Sequence, residues 1–363
     1  MTAPHREAEP RNTRRGFFWL PGEVVEHAGA SGRTAVQRGQ AFVAWEAPAE
    51  ETELLPVVLI HGGGGQGTEW MRTPDGRPGW APLLVDRGHP VYVLDRPGFG
   101  RSPGDPQLYG PTTEPFGYAA ASALFAPAQK ADRHTGWPWP LGPGSPEMDA
   151  VVAASAPLYL DTALMNRLDG ERVADLLDII GRSILIAASA GGPAAYRGAD
   201  LRPELVAAFA GVETLGPAFK DLGPRGTLSW GMAAAALGYE PPVSSPDELS
   251  RVVAAGPEQN PAGNPLVLQL EPARTLARLR EVPVGIFSTD LSDRHVDDAY
   301  TVAFLRQAGV DAQQLRFAEH GVTGSSHGIM FETGNVQALE IVLGWLREKL
   351  PEGVARPKGG RTP

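Results

Sequence analysis

No cysteine occurs in the 363 residues, which excludes disulfides, thiolate metal sites and a cysteine nucleophile together. No apolar run approaches the roughly 18 residues that a membrane span needs, so a soluble protein is expected, with no membrane partner. Positive charge is also in short supply, since 32 Lys and Arg against 42 Asp and Glu leave a formal net charge of -10. Nucleic acid needs clustered Lys and Arg, so it is not an expected partner, and a neutral or weakly charged small molecule is easier to accommodate. No internal repeat is visible.

What the chain does have is size and a change of pattern. Its length allows a sizeable core, either as two small domains or as one large α/β domain with insertions. From Phe17 to Trp45 short β-like runs suggest an antiparallel edge meander. Apolar runs then follow at Pro56–Ile60, Pro90–Leu94, Ser183–Ala187, Leu205–Ala210, Val282–Phe287 and Gln314–Phe317, the pattern of parallel strands buried on both faces. Helical spacing lies between them. Val173, Leu176, Leu177 and Ile180 fall on one face, as do Val296, Tyr300, Ala303 and Phe304, and as do Val336, Leu339, Leu343 and Leu346. Alternation of the two predicts an α/β fold with a mostly parallel, doubly wound sheet and helices on both faces.

Two long stretches break the alternation, about residues 103–162 and 216–279, and the aromatic content of the first argues for ordered structure. They are read as a cap on a single domain of residues 16–350. Residues 1–15 and 351–363 are expected to be disordered ends. Thr13-Arg14-Arg15-Gly16-Phe17-Phe18 looks like a twin-arginine export signal, but Trp19-Leu20-Pro21-Gly22-Glu23 interrupts it before an apolar segment forms.

Three segments carry chemistry. Ala187-Ala188-Ser189-Ala190-Gly191-Gly192 follows a buried strand and precedes a helix, where small neighbours let a sharp turn close and expose the Ser189 hydroxyl. The N–H of Ala190 then lies at a helix start, where negative charge is favoured. His61-Gly62-Gly63-Gly64-Gly65 follows another strand, and the N–H of Gly63 or Gly64 can face the oxygen of a tetrahedral intermediate. No Lys-Ser/Thr pair follows these glycines, which disfavours a nucleotide site. Of eight histidines, His327 occupies a loop between the last strand and the last helix, the place for a base. His320 is the alternative, while His5, His89, His134 and His295 are expected at the surface without a role. The acid is Glu213, after the strand that follows the serine helix, or Asp290 or Asp293 after the next strand. Asp95-Arg96-Pro97-Gly98-Phe99-Gly100-Arg101-Ser102 reads as a tight turn launching the first insertion.

In order and spacing these segments resemble the α/β-hydrolase superfamily. Thr73-Pro74-Asp75-Gly76-Arg77-Pro78-Gly79-Trp80 and Ala303-Phe304-Leu305-Arg306-Gln307-Ala308-Gly309-Val310 are similar to the bacterial esterase 713-like carboxylesterases. That resemblance implies a Ser-Glu-His hydrolase and maps the roles onto Ser189, Glu213 and His327, favouring Glu213 as the acid. Members of the group can carry an export signal and cysteines near the oxyanion loop, and neither is seen, so a cytoplasmic place is expected.

The expected activity is hydrolysis of a small, largely apolar carboxylic ester, with Trp137, Trp139 and Phe116 lining its pocket. No metal or organic cofactor is implied, and a homodimer is allowed. An amidase, lactonase or acyltransferase would use the same three residues, and a non-catalytic ligand-binding homologue is the rival from another class.

Overall fold

The apolar runs pair into one eight-stranded sheet in the computed structural model, which describes residues 10–29, 32–256 and 260–354. The strands are β1 (Thr13–Leu20), β2 (Glu23–Gly29), β3 (Gly32–Arg38), β4 (Ala41–Pro48), β5 (Val57–Ile60) and β6 (Val91–Asp95) in the first half of the chain. There follow β7 (Ser183–Ala188), β8 (Val206–Val212), β9 (Arg251–Ala254), β10 (Leu266–Gln269), β11 (Val284–Ser288) and β12 (Ala312–Arg316). The order in the large sheet is β1-β4-β6-β5-β7-β8-β11-β12. β1, β4 and β6 pair antiparallel, and every pairing from β6 through β12 is parallel. The expected α/β fold is the observed one, with the edge meander reduced to β1 and β4, because β2 and β3 leave the sheet as a separate hairpin.

Alternation along the central strands explains why both faces carry helices. Val58 and Ile60 of β5 and Leu185 and Ala187 of β7 enter one core, while Val57 and Leu59, and Ile184, Ile186 and Ala188, enter the other. A side-chain period of two with both sets apolar demands cover on both sides. The helices Thr162–Ile180 and Gly192–Leu201 cover the first face, with Val173, Leu176, Leu177 and Tyr196 buried. Asn335–Lys349 covers the second, with Leu339, Leu343 and Leu346 of the face read from sequence buried. Val336 alone of that face is partly exposed, at 38%, and Ala338, Val342 and Trp345 join the buried set, with Trp345 edge-on to the Phe287 ring on β11.

Both chain ends are ordered further than expected. β1 begins at Thr13, where eight residues pair with β4, and Leu20 is buried. Past the last helix, Leu55 N–H donates to the Gly353 carbonyl at 3.0 Å and Val354 is buried, so residues 351–354 pack against the domain; residues 1–9 and 355–363 lie outside the described residues. Residues 103–162 hold the helices Pro106–Tyr109, Tyr118–Phe125 and Pro146–Ala153 beside the C-terminal ends of the parallel strands. Residues 216–256 and 260–279 hold irregular turns and the antiparallel pair β9 and β10. Among the described residues no helix is long and apolar enough to cross a membrane.

Candidate active site

Ser189 stands where β7 gives way to the short helical turn Ser189–Gly191 and the helix Gly192–Leu201. Its φ of 46° lies in the left-handed region, which a non-glycine residue occupies at a cost and which turns the side chain up and away from the strand. Gly191 makes that turn possible, since a Cβ there would stand 2.7 Å from the His61 carbonyl oxygen and 2.8 Å from that of Ile60. The N–H of Ala190 belongs to the first turn, where helical donors have no partner within the helix.

A cavity of about 570 Å³ lies over these strand ends, and Ser189, Gly62, Gly63 and His327 all sit on its wall. The Gly62-Gly63 turn runs against the serine, with the Cβ position of Gly62 3.3 Å from the Ser189 Cβ and that of Gly63 3.1 Å from the Ala190 Cβ. Gly64 turns away from the cavity at φ 69°, and its carbonyl accepts from Ala156 N–H at 2.7 Å. Of the two glycines named as candidate oxyanion donors, Gly63 is the one that lines the cavity.

His327 donates from Nδ1 to Glu213 Oε2 at 2.7 Å. Glu213, at φ 44° just past β8, is fully buried, and its other oxygen accepts from the N–H of Thr289 at 2.9 Å and from the Thr289 hydroxyl. Burial alone would push this carboxyl up, but the bond and charge of His327 and the two Thr289 donors hold it down at about 2. Burial, and after it the Arg294 charge, lowers the His327 imidazole below its ordinary value, with Glu213 working the other way. The pair therefore rests as a carboxylate and a neutral imidazole. Phe125 lies nearly parallel to that imidazole, ring centres 6.1 Å apart.

The other acids stand elsewhere. Asp290 accepts from the N–H groups of Gly324 and Ser325 and so supports the loop leading to His327, while Asp293 is exposed and paired with Lys130 at 2.6 Å. His320 is exposed at the end of a short helical turn. Among the described residues no group of three or more His, Asp or Glu is arranged to hold a metal ion.

The aromatic wall differs from the expected one. Phe116 lines the cavity, joined by Phe125, Met330 and Phe331. Trp137 and Trp139 do not: Trp137 is 5% exposed inside the second core, edge-on to Trp139 with ring centres 5.1 Å apart. The segment carrying them folds inward instead of lining the opening.

Two buried polar clusters escaped the sequence reading. Arg96 donates through its backbone N–H to His61 Nε2 at 2.9 Å, through Nη2 to the Gly62 carbonyl at 2.7 Å and through Nη1 to Asp169 Oδ2 at 2.8 Å. This leaves the His61 proton on Nδ1, donating to the Gly62 carbonyl, and burial next to Arg96 keeps that imidazole neutral. Asp95 accepts from Gly67 N–H and from Arg101, so the 95–102 turn anchors the glycine loop as well as launching the insertion. In the second cluster His134 lies 2.9 Å from Glu332 Oε1, which also accepts from the Ser326 N–H next to His327. His134 and His89 are buried, not at the surface as expected, each because a polar partner meets it inside: Glu332 for one, the Leu55 carbonyl for the other. His295 starts the helix His295–Gln307 with Nδ1 against the Ser292 carbonyl, and His5 lies outside the described residues. Glu69 was also passed over. Partly buried on the cavity wall, it accepts from Gly62 N–H at 2.9 Å, and burial raises its carboxyl to about 7.

Comparison with known proteins agrees with this architecture. A family described as the alpha/beta hydrolase fold matches residues 56–232. The "Probable secreted lipase phiG" of Fungal sp. (strain ATCC 74256) is 31% identical over 361 residues, covering 96% of this chain and 93% of that protein. The solved structure of a novel bacterial esterase superposes with a TM-score of 0.64 at 20% identity, over 94% of this chain and 98% of that one, a likeness of fold. The cytoplasmic expectation does not survive, because a relative matched over nearly its whole length is described as secreted and the interrupted export motif gave only a local argument. With the strand order, the serine turn and a relative of this similarity in agreement, the chain belongs to the α/β-hydrolase superfamily.

Proposed function

We propose that this protein is a serine esterase that cleaves carboxylic esters of small, largely apolar substrates through an acyl-enzyme on Ser189. The observation that carries the reading is the 2.7 Å bond from His327 to a fully buried Glu213, made by an imidazole that shares a cavity wall with Ser189. His327 takes the Ser189 proton as the hydroxyl oxygen attacks the ester carbonyl. Glu213 fixes the tautomer that leaves Nε2 free to accept it, and stabilises the imidazolium that forms. The N–H groups of Ala190 and Gly63 receive the oxyanion, each worth about 3 kcal/mol in the transition state. His327 returns the proton to the leaving alcohol, then activates the water that releases the acid.

A cavity of about 570 Å³ walled by Phe116, Phe125, Met330 and Phe331 suits an apolar acyl or alcohol group. The segment 103–162 acts as the cap, since Phe116, Phe125, Pro146 and Val151 come from it. The fungal relative named a secreted lipase supports ester cleavage and a place outside the cell. Intact protein should take up one organophosphorus fluoride at Ser189, and Ser189→Ala should take up none. Product analysis with an ester, a matched amide, a lactone and an alcohol acceptor then separates an esterase from an amidase, a lactonase and an acyltransferase. Failure of the native protein to react with the fluoride would favour a ligand-binding role.

A further inference from the structure

His327 and Leu124 line two cavities. Beyond them from the apolar chamber lies a second one of about 310 Å³, whose wall includes Lys130, Lys220, Asp293, Arg294 and Asp297. Both lysines and both carboxylates are matched. Lys130 donates to Asp293 at 2.6 Å, and Lys220 donates to Asp297 at 3.0 Å, where Asn260 and Asn264 also donate. Arg294 is the remaining cation. Its backbone N–H donates to the Ser292 hydroxyl and its carbonyl accepts from Asp298 N–H, but its guanidinium makes no ion pair within 4 Å among the described residues, and the acid its charge acts on, Asp298, is fully buried. The side chain is partly buried, and its charge acts on His327, Lys220 and Asp298 alike, so it lies near this junction.

A guanidinium offers five donors in a planar fork suited to carboxylates, and partial burial weakens the competition of water for them. We infer that the second chamber is a binding subsite for an anionic, carboxylate-type group, with Arg294 as its charge partner. Carried on a substrate, such a group gives an ester with an apolar part in the first chamber and an acidic tail past His327, a specificity that rests on the esterase reading. The same site could be filled by a free carboxylate. Either occupant neutralises a cation near His327 and so raises the imidazole toward its ordinary value, while Glu213 stays bonded to it. The other charges around Arg294 are Lys130 with Asp293, Lys220 with Asp297, and the buried Asp298, whose Oδ2 accepts from the Ser288 hydroxyl while its Oδ1 meets no hydrogen-bond donor among the described residues.

The test compares 4-nitrophenyl hydrogen glutarate with the neutral 4-nitrophenyl valerate, in the native protein and in Arg294→Met. Acetate binding is followed by calorimetry in both, and Arg294→Gln stands in if the Met variant does not fold. The ratio of kcat/KM for the acidic over the neutral ester should fall at least about tenfold in the variant, while Arg294→Lys keeps most of it. An unmoved ratio with acetate binding lost in Arg294→Met assigns the site to a free carboxylate. An unmoved ratio with equal acetate binding in both proteins overturns the inference. If the native protein cleaves neither ester, the esterase reading falls, and the calorimetric comparison still decides the subsite.

Discussion

Ser189 and Glu213 stand just past the ends of adjacent parallel strands with nearly the same backbone, φ 46° and 44°, and the Ser189 carbonyl accepts from Leu215 N–H at 2.7 Å. The serine turn and the acid turn therefore brace each other across one strand spacing. Left-handed backbone at a non-glycine residue costs on the order of 1–3 kcal/mol. Ser189→Gly relieves that cost and Ser189→Ala does not, so the glycine variant should be the more stable by about 1 kcal/mol in urea unfolding, although both lose activity. Equal stabilities would remove the argument for stored strain.

The acid should be identifiable by kinetics. Glu213→Gln breaks the orienting bond to His327 and should lower kcat by roughly three to four orders of magnitude. Asp293→Asn removes only an exposed pair with Lys130 and should change kcat less than about threefold. The reverse ranking would transfer the role.

The pH-rate profile follows from the imidazole. Catalysis needs neutral His327, and burial with the Arg294 charge lowers its pKa, so the acid limb of kcat/KM should lie below pH 6.5. Removing the Arg294 charge should move that limb upward. Stability gives a separate signal, because Glu213 is held at about 2 against an ordinary 4.5. Its contribution is fully present above pH 4.5 and is lost as pH falls toward 2, which acid unfolding monitored by circular dichroism would show.

Glu69 has the opposite sign. Its carboxyl is raised to about 7, so in the folded protein it stays protonated where the unfolded chain ionises; the cost grows from pH 4.5 upward and is complete above pH 7. Glu69→Gln keeps an acceptor for Gly62 N–H and should stabilise the protein at pH 8 by about 2 kcal/mol, and hardly at all at pH 4. A gain independent of pH would contradict this.

Arg96 links the glycine turn to Asp169 with both side chains buried. Arg96→Met leaves an uncompensated carboxylate inside, and denaturation should show a loss of about 3–5 kcal/mol. Because the Gly62 carbonyl loses its donor, kcat should fall as well; a stable variant with full activity would show that the turn holds itself.

Local chemistry made the sheet and the Ser189, Gly63 and His327 segments legible, because a buried parallel strand, a small-residue turn and a glycine loop each follow from short stretches of chain. The bond between His327 and Glu213 joins residues 114 positions apart, and strand order alone brings them together. Trp137 and Trp139 misled because aromatic composition does not say whether an insertion turns its rings toward a cavity or toward the core. Arg96 and Glu332 were hidden for a similar reason, since a charged residue in a turn reads as solvated until its buried partner is known. Val336 shows the limit of periodicity, since Leu339, Leu343 and Leu346 of its row are buried while Val336, in the first turn of the helix, is partly exposed.

His134 and Gly136 fasten the first insertion to the loop bearing His327: Gly136 N–H donates to the Gly324 carbonyl at 2.8 Å, Thr333 N–H donates to that of Gly136 at 3.0 Å, and Glu332 joins His134 to Ser326. For anyone grafting a different roof onto this scaffold, the two segments form one cassette. A transplant of residues 103–162 that leaves 324–333 behind would sever that fastening and set His327 adrift, even with Ser189 and Glu213 untouched.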